Sequence, residues 1–210
     1  MDGAGLQDRY SRGLGAAARV FGMPHDLFRP HGVADPLLTE RWVLRLPAAF
    51  DGGDPGYRRP RGYERALRGM FDVDCTRVGD YLVGPRGVLF IASAPSLARP
   101  LCVLTTAVLT VLRAEGPEVP GLNGYGGVRE PRLRVVLSGW PAEVSSGSDG
   151  AKGSVPGDGG LPGWRVLLPL TPVPIQGSDV LQDAAGERFV VRTAELSELG
   201  WRLSVRRAGV

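Results

Sequence analysis

The sequence contains one strand-turn-strand pattern twice, and this duplication limits the fold more than any other feature. In both copies an aspartate stands seven residues before a glycine, and a phenylalanine stands three residues after that glycine. Aspartate favours turns because its carboxylate bonds to nearby backbone N–H groups, and glycine supplies the positive φ at which a hairpin reverses. Each copy therefore predicts a β-hairpin. The defining residues are Gly79, Asp80, Gly87 and Phe90 in the first copy, and Asp179, Gly186 and Phe189 in the second.

Further short strands are predicted beside the two hairpins. Residues 101–112 are rich in Val and Thr, residues 132–137 and 164–168 are strand-like, and residues 201–205 alternate between apolar and polar side chains. The 31 glycines and 18 prolines indicate many turns and disfavour long helices. About four or five strands in each half can bury their apolar side chains only by curling or packing together. The sequence therefore predicts a mainly β protein with two small antiparallel barrel or sandwich modules.

The N-terminal segment has a different pattern. Between residues 6 and 21 the apolar side chains recur at spacings of three and four, which predicts one amphipathic helix. Gly22 and Pro24 favour an end to that helix. Residues 24–62 are rich in helix breakers, contain one strand-like run at residues 42–46, and predict an extended arm with little core of its own. The helix face that we expect to dock onto a barrel or a neighbouring subunit carries Leu6, Tyr10, Leu14 and Phe21.

These patterns divide the chain into three parts. Residues 1–62 form the helix and arm, residues 63–127 the first β module with a linker, and residues 128–210 the second β module. Within the last part, residues 145–163 consist almost wholly of Gly, Ser, Asp and Pro. Such a segment cannot bury enough apolar area to offset its ordering entropy. We therefore expect a loop that is mobile or that becomes ordered only on a partner.

The charge pattern bears on nucleic-acid binding. The net charge is +3, and the arginines are scattered among 22 acidic residues rather than gathered into a basic stripe. A nucleic-acid-binding barrel of the OB type remains an alternative. It would need aromatic side chains that point outward on adjacent strands, whereas most aromatics here fall at inward-facing positions.

No catalytic, metal or cofactor site emerges from the residue pattern, and we expect a protein that is not an enzyme. His25 and His31 lie near two aspartates, but four metal ligands at regular spacing are absent from the sequence. A small hydrolase that uses Cys102 or His25 is the less favoured alternative. Asp80 and Asp179 could form a carboxylate pair for acid-base catalysis, but their repeated turn context favours a structural role.

Cysteine usage and hydropathy bear on the compartment. Cys75 and Cys102 have no CxxC spacing, which favours reduced and buried thiols. The N-terminal residues contain no apolar stretch of the kind found in signal peptides, and residues 101–112 are too short to span a membrane. We expect synthesis and residence in the cytoplasm and no contact with a membrane.

Both hairpins resemble a known family. Residues 78–93 and 186–203 look like parts of the small β-barrel head-tail connector or stopper proteins of tailed phages and prophages. The resemblance covers residues 63–113 and 128–210. In that family, a Gly-Asp-strand-Gly-strand hairpin forms part of the barrel. This chain departs from the pattern in its length, in its two hairpin units, and in its N-terminal helix and arm.

The resemblance implies a structural virion protein. It would assemble as a homo-oligomeric ring in the neck, between the portal or adaptor and the tail proteins, and would carry no catalytic residues. Contact with packaged DNA, if the ring lines the channel, would be independent of base sequence. The departures from the family leave open whether such a protein acts as a connector, a stopper, a tail-completion protein or a collar protein.

Overall fold

The computed structural model describes residues 3–52, 60, 62, 63, 65–115, 132–146 and 163–208. Helix α1, Gly3–Phe21, is followed by twelve strands and two short 3₁₀ turns, Thr39–Arg41 and Val73–Cys75. Apart from residues 145, 146 and 163, the loop predicted over residues 145–163 lies outside the described residues. The first six strands are β1 Met23–Phe28, β2 Trp42–Asp51, β3 Leu67–Met70, β4 Tyr81–Gly84, β5 Gly87–Ser93 and β6 Leu101–Leu104. The second six are β7 Ala107–Glu115, β8 Arg132–Ser146, β9 Trp164–Leu168, β10 Val180–Asp183, β11 Arg188–Ser197 and β12 Gly200–Arg207.

The strands form two closed antiparallel barrels, which confirms the mainly β fold class. The first barrel has the order β1-β2-β3-β6-β5-β4, and the second has the order β7-β8-β9-β12-β11-β10. Numbered from its own first strand, each barrel has the same topology, so the duplication extends from the hairpin to the whole barrel. Each barrel contains six strands, more than the four or five expected.

The additional strands of the first barrel come from the segment interpreted as an extended arm. β1 pairs with β2 and also closes the barrel against β4. Leu27, Leu46 and Ala48 from these strands are buried in the barrel core. The strand-like run at residues 42–46 falls within β2, but Pro24 and Pro47 disfavoured β1 and the full length of β2, since proline usually argues against a strand. Residues 29–41 connect β1 to β2.

Helix α1 covers the outside of the first barrel. It packs against β2, β3 and the 3₁₀ turn at Val73–Cys75. Ser11, Leu14 and Ala18 are buried in this contact, whereas Leu6 is 43% exposed and Phe21 is 72% exposed. The predicted interface face is therefore divided. Leu14 packs on the barrel of its own chain, while Leu6 and Phe21 remain open to solvent.

Two residues connect the barrels. β6 ends at Leu104 and β7 begins at Ala107, so the region predicted as one strand over residues 101–112 divides at Thr105 and Thr106. The Thr105 hydroxyl donates to the Val88 carbonyl at 2.9 Å, and the Thr106 backbone N–H donates to the Ala142 carbonyl at 2.8 Å. Thr105 is therefore hydrogen-bonded to the first barrel and Thr106 to the second.

Candidate functional site: paired clasps and the barrel interface

The first predicted turn aspartate is the centre of a buried ion pair. Asp80 is 2% exposed, and Arg29, which follows β1 directly, donates to both of its oxygens: Nε to Oδ1 at 3.0 Å and Nη2 to Oδ2 at 2.8 Å. Arg29 Nη2 also donates to the Cys75 carbonyl at 3.1 Å. Asp80 Oδ2 accepts the backbone N–H of Arg77 at 2.8 Å. This carboxylate therefore fastens a turn and a distant strand end together.

The second predicted turn aspartate makes the same set of bonds in the second barrel. Asp179 is 1% exposed and binds Arg113 of β7, with Nε to Oδ1 at 2.7 Å and Nη2 to Oδ2 at 2.8 Å. Arg113 Nη2 donates to the Pro174 carbonyl at 2.8 Å, and Asp179 Oδ2 accepts the Gln176 backbone N–H at 2.8 Å. We call these two arrangements, Arg29 with Asp80 and Arg113 with Asp179, the clasps.

The electrostatics of the clasps follow from their geometry. The hydrogen bonds that Arg29 donates to Asp80 raise the pKa of Arg29 above its ordinary value, and those that Arg113 donates to Asp179 do the same for Arg113, in each case against the opposing effect of burial. A two-pronged arginine–carboxylate pair is among the stronger polar contacts in proteins. A pair whose hydrogen-bonding groups are satisfied in this way suits a structural role.

Backbone conformation also matches between the clasps. The residue before each aspartate has positive φ, +92° at Gly79 and +72° at Ser178. Gly79 N–H donates to the Ile91 carbonyl, and Ser178 N–H donates to the Val191 carbonyl, each at 2.8 Å. The second copy therefore holds a side-chain-bearing residue in a conformation that the first copy assigns to glycine.

The two hairpin turns differ in length by one residue. Gly87, with φ of +107°, pairs with Gly84, so the first turn contains two residues. Gly186, with φ of +84°, lies in a three-residue turn, because the Asp183 backbone N–H donates to the Glu187 carbonyl at 3.0 Å. Equal spacing in the sequence aligns Phe90 with Phe189, but the extra turn residue shifts the second copy by one position beyond the turn. Phe90 corresponds to Val190, and Phe189 corresponds to Leu89.

Sequence reasoning found both aspartates but missed both arginines. Arg29 lies 51 positions before Asp80, and Arg113 lies 66 positions before Asp179. Each arginine follows two apolar residues, as Leu27-Phe28-Arg29 directly after β1 and Val111-Leu112-Arg113 within β7. This shared pattern of two apolar residues and an arginine was the available signal for the ion pairs. It lies so far from the hairpins in sequence that it did not indicate a contact with the aspartates without the fold.

An aromatic contact joins the barrels. Tyr81 and Phe90 point away from the first barrel's own core and lie in a buried cluster that includes Leu167 of β9. The rings of Tyr81 and Trp140 meet edge to face with centroids 6.4 Å apart. The Tyr81 hydroxyl donates to the Pro141 carbonyl at 2.9 Å, and burial, followed by the charge of Asp35, raises the pKa of Tyr81 well above its ordinary value.

The segment between β1 and β2 adds hydrogen bonds to the contact between the two barrels. The Val33 carbonyl accepts the backbone N–H of Ser138 at 2.9 Å and the Trp140 Nε1–H at 3.2 Å. Gly139, with φ of +72°, faces Asp35 so closely that an added Cβ would lie 3.0 Å from the Asp35 side chain. A loop of the first barrel is thus fastened to β8 of the second.

The outward aromatic pair bears on the nucleic-acid alternative. Tyr81 and Phe90 stand opposite each other on adjacent strands, as an OB-type stacking platform requires. Both side chains are fully buried between the barrels. Bases cannot reach this pair while the two barrels remain packed together.

The hydrolase candidates occupy buried positions. Cys102 is completely buried in the first barrel, and this burial raises the pKa of its thiol above its ordinary value. His25 is 3% exposed, and its Nδ1 lies 2.8 Å from the Met23 carbonyl. Among the described residues, His25 Nε2 is buried without a hydrogen-bond partner. A buried, protonated thiol is a poor nucleophile.

The remaining sequence candidates lie in different places. Cys75 is exposed at the end of a 3₁₀ turn, so the expectation of two buried thiols was wrong for this residue. Asp26 binds Arg45 and Trp42 rather than a histidine, and these hydrogen bonds lower the pKa of Asp26.

Across the described ranges, no three His, Cys, Asp or Glu side chains form a group that could hold a metal ion. Nor does any described helix have the length and hydropathy needed to cross a bilayer.

Comparison with known proteins gives one distant structural likeness. No protein-family model matches the sequence, and no curated protein matches it. Among solved structures, the phage-like element PBSX protein xkdH from Bacillus subtilis aligns with 48% of this chain and 92% of its own, at 9% identity and a TM-score of 0.29. A likeness at this level carries no argument about the present protein.

Proposed function

We propose that this protein is a non-enzymatic structural component of a tailed phage or prophage particle. It acts as a head-tail connector that assembles into a ring in the neck, between the portal or adaptor and the tail proteins. It is made in the bacterial cytoplasm and incorporated into the virion. Any contact with packaged DNA is independent of base sequence.

One structural observation carries the proposal: the chain is a double barrel whose polar contacts fasten rather than react. Each barrel has a buried clasp, and the barrels share a buried aromatic cluster. The predicted interface residues Leu6 and Phe21 are left exposed on the outer helix. Two barrels joined by buried contacts, with apolar side chains exposed on the outer helix, are suited to a subunit of a larger assembly. The resemblance of the hairpins to connector proteins supports a head-tail connector as that assembly.

Quantitative peptide mass spectrometry on purified, nuclease-treated particles from the source organism tests this proposal. We expect a fixed integer number of copies of this chain per portal ring. Deleting its gene should leave DNA-filled heads and free tails that fail to join, and supplying the gene in trans should restore joined particles. Absence of the chain from particles in which the portal is well detected would overturn the proposal.

A binding assay separates the nucleic-acid alternative from the structural function. In the proposed connector, single-stranded DNA binds weakly and without sequence preference. Tight binding of the isolated chain to single-stranded DNA, together with its absence from particles, would instead favour the OB-type binder. Salt dependence alone would not distinguish them, since any contact between arginine and phosphate weakens as salt rises.

A further inference from the structure

The contact between the barrels joins two different types of surface. The first barrel contributes the outer side of its β4–β5 hairpin, where Tyr81 and Phe90 stand opposite each other. The second barrel contributes the outer side of β8 and β9, where the Pro141 carbonyl accepts the Tyr81 hydroxyl and Leu167 joins the buried cluster. We call the outer side of the β4–β5 hairpin a hairpin face, and the outer side of β8 and β9 a receiving face.

The first barrel has a receiving face of its own, on β2 and β3. Since the two barrels share one topology, β2 corresponds to β8 and β3 to β9. The strand pairings then match Pro47 with Pro141, and Met70 with Leu167. Pro47 and Ala49 alternate with core residues, so they lie on the outside, together with Met70 opposite Ala49. This surface is therefore the counterpart of the one on which the barrels join.

Helix α1 occupies the receiving face of the first barrel. It packs on β2 and β3, and a Cβ added to Gly22, the residue after the helix, would lie 2.9 Å from the Ala48 nitrogen. The second barrel has no corresponding helix, because only Thr105 and Thr106 separate β6 from β7. The helix thus stands on the first barrel where the first barrel itself stands on the second.

The hairpin face of the second barrel is less covered than that of the first. Val180 corresponds to Tyr81 and Val190 to Phe90, and the two valines stand opposite each other on β10 and β11. Tyr81 and Phe90 are fully buried, whereas Val190 is 36% exposed. Within the described ranges, both receiving faces are therefore covered, while one of the two hairpin faces is partly open to solvent.

The hold of α1 on its barrel is weak for a helix of 19 residues. Three glycines in its interior disfavour a free helix. Its described side chains that are buried are Ser11, Leu14 and Ala18. By contrast, the contact between the barrels buries the large side chains of Tyr81 and Phe90. Releasing the helix therefore uncovers much less apolar surface than separating the barrels would.

We propose that α1 is a displaceable cap, and that the hairpin face of another copy's second barrel takes its place on β2 and β3. The occupant follows from the intramolecular contact, in which a hairpin face docks on a receiving face of the same barrel type. Such a head-to-tail contact uses different patches on the two partners, and it closes into a ring when the rotation between copies allows. The inference rests on the proposed ring-forming function: the cap keeps free chains apart, and ring formation displaces it.

Sedimentation velocity of full-length variants over a range of concentrations tests the inference. Ala18→Glu places a charge in the buried contact of α1 and should release the helix. The dissociation constant for self-association should then fall at least about tenfold, because a larger fraction of chains is competent to dock. Val20→Glu is the matched control, since Val20 lies on the same helix and is 73% exposed. It should associate like wild type. Equal association of Ala18→Glu and wild type would overturn the inference.

A second substitution separates specific docking from aggregation of a damaged chain. Adding Val190→Glu to Ala18→Glu should return association to the wild-type level or below, because the new charge lies in the hairpin face. Adding Leu196→Glu instead should leave association high, since Leu196 lies near the far end of β11 and is 55% exposed. Association that persists in the Ala18→Glu/Val190→Glu protein would count against the proposed occupant and overturn the inference.

A reversible disulfide tests displacement without adding a charge to the helix. A Cβ added at Gly15 would lie 3.6 Å from the Asp72 Cβ, which is within the range of a disulfide. In a Cys75→Ser background, Gly15→Cys with Asp72→Cys should tie α1 to its barrel when oxidised. The oxidised chain should stay monomeric at concentrations at which the reduced chain associates. Equal association of the two forms would overturn the inference.

Failure of the inference and failure of the proposed function give different results. Unchanged association of Ala18→Glu, with the chain present in particles, would reject the cap and leave the connector function intact. Absence from particles, with association that Val190→Glu reverses, would reject the neck location and leave the docking mode established.

Discussion

At the scale of single residues, the clasps show how one buried carboxylate can organise a barrel. Asp80 and Asp179 each bind an arginine from a distant strand and the backbone N–H three residues earlier. Burying such a carboxylate is costly unless every lone pair is satisfied. The turn would then lose its fastening to the strand if either partner were removed.

Replacing one clasp aspartate tests this role. We expect Asp179→Asn to lower the free energy of unfolding by about 3 kcal/mol, because Arg113 would keep its charge without a carboxylate. Asp80→Asn should cost a similar amount, since its bonds are the same. Urea denaturation measures both changes. Glu195→Gln is the control, because Glu195 pairs with Arg202 at 61% exposure and should change stability by less than about 1 kcal/mol.

The residue before each aspartate allows a matched pair of backbone substitutions. Ser178 adopts φ of +72°, where a side chain is strained, so Ser178→Gly should raise stability by about 0.5 kcal/mol after the entropy of glycine is subtracted. Gly79→Ala should lower it by about 1 kcal/mol. An added Cβ at Gly79 meets no atom within 4 Å, so only the backbone is tested. A lower urea midpoint for Ser178→Gly would contradict this account.

At the scale of elements, the strands of the first barrel protect a thiol. Cys102 on β6 is fully buried and Cys75 is exposed, so we expect one cysteine per native chain to react with a thiol reagent and two in denaturant. Reaction at Cys75 should be slow at neutral pH, because burial and then Asp72 and Asp74 raise its pKa. In the native Cys75→Ser variant we expect no cysteine to react, because Cys102 is buried. Rapid modification of Cys102 in that variant would mean that the barrel opens readily.

The hairpins show at the same scale where local pattern is sufficient and where it fails. In the structure Gly87 and Gly186 have positive φ, and Asp80 and Asp179 each accept a backbone N–H from three residues earlier, as turn preferences that act within a few residues favour. The side chain that enters each core depends on the number of residues in the turn. A change of one residue reverses which side chain faces inward, and this is why Leu89, rather than Phe90, corresponds to Phe189.

At the scale of the whole molecule, Tyr81 couples the two barrels and predicts a pH dependence. Its pKa is raised in the folded state, so above about pH 10 the unfolded chain releases the tyrosine proton while the folded chain retains it. Stability is therefore fully present below pH 10 and falls as pH rises beyond it, by about 1.4 kcal/mol per pH unit for this group.

Comparing wild type with Tyr81→Phe over this pH range isolates the contribution. At pH 8 the variant should be about 1–2 kcal/mol less stable, because the Pro141 carbonyl loses its buried donor. The gap should shrink above pH 10, where only wild type is affected by Tyr81 ionisation. Tyr63 and Cys102 also have raised pKa values, but they are present in both proteins and cancel. A gap that stays constant to pH 11 would contradict the prediction.

The sequence by itself determined the mainly β class, the presence of two β modules and the N-terminal helix. These depend on hydrophobic periodicity and on turn chemistry, which are properties of neighbouring residues. The sequence did not predict which side chains of the helix face are buried, because Leu6 and Leu14 are the same residue type and differ only in their tertiary contacts. The same limit applies to the strands β1 and β2, whose prolines resemble those of an arm.

Only the tertiary structure decided which distant residues meet. The pairing of Arg29 with Asp80 and of Arg113 with Asp179 depends on barrel closure, which brings a strand end to a turn far along the chain. The burial of Tyr81 likewise depends on the packing of one barrel against the other. Contacts of this kind arise from chain topology and the burial of apolar surface, which residue type and spacing alone do not specify.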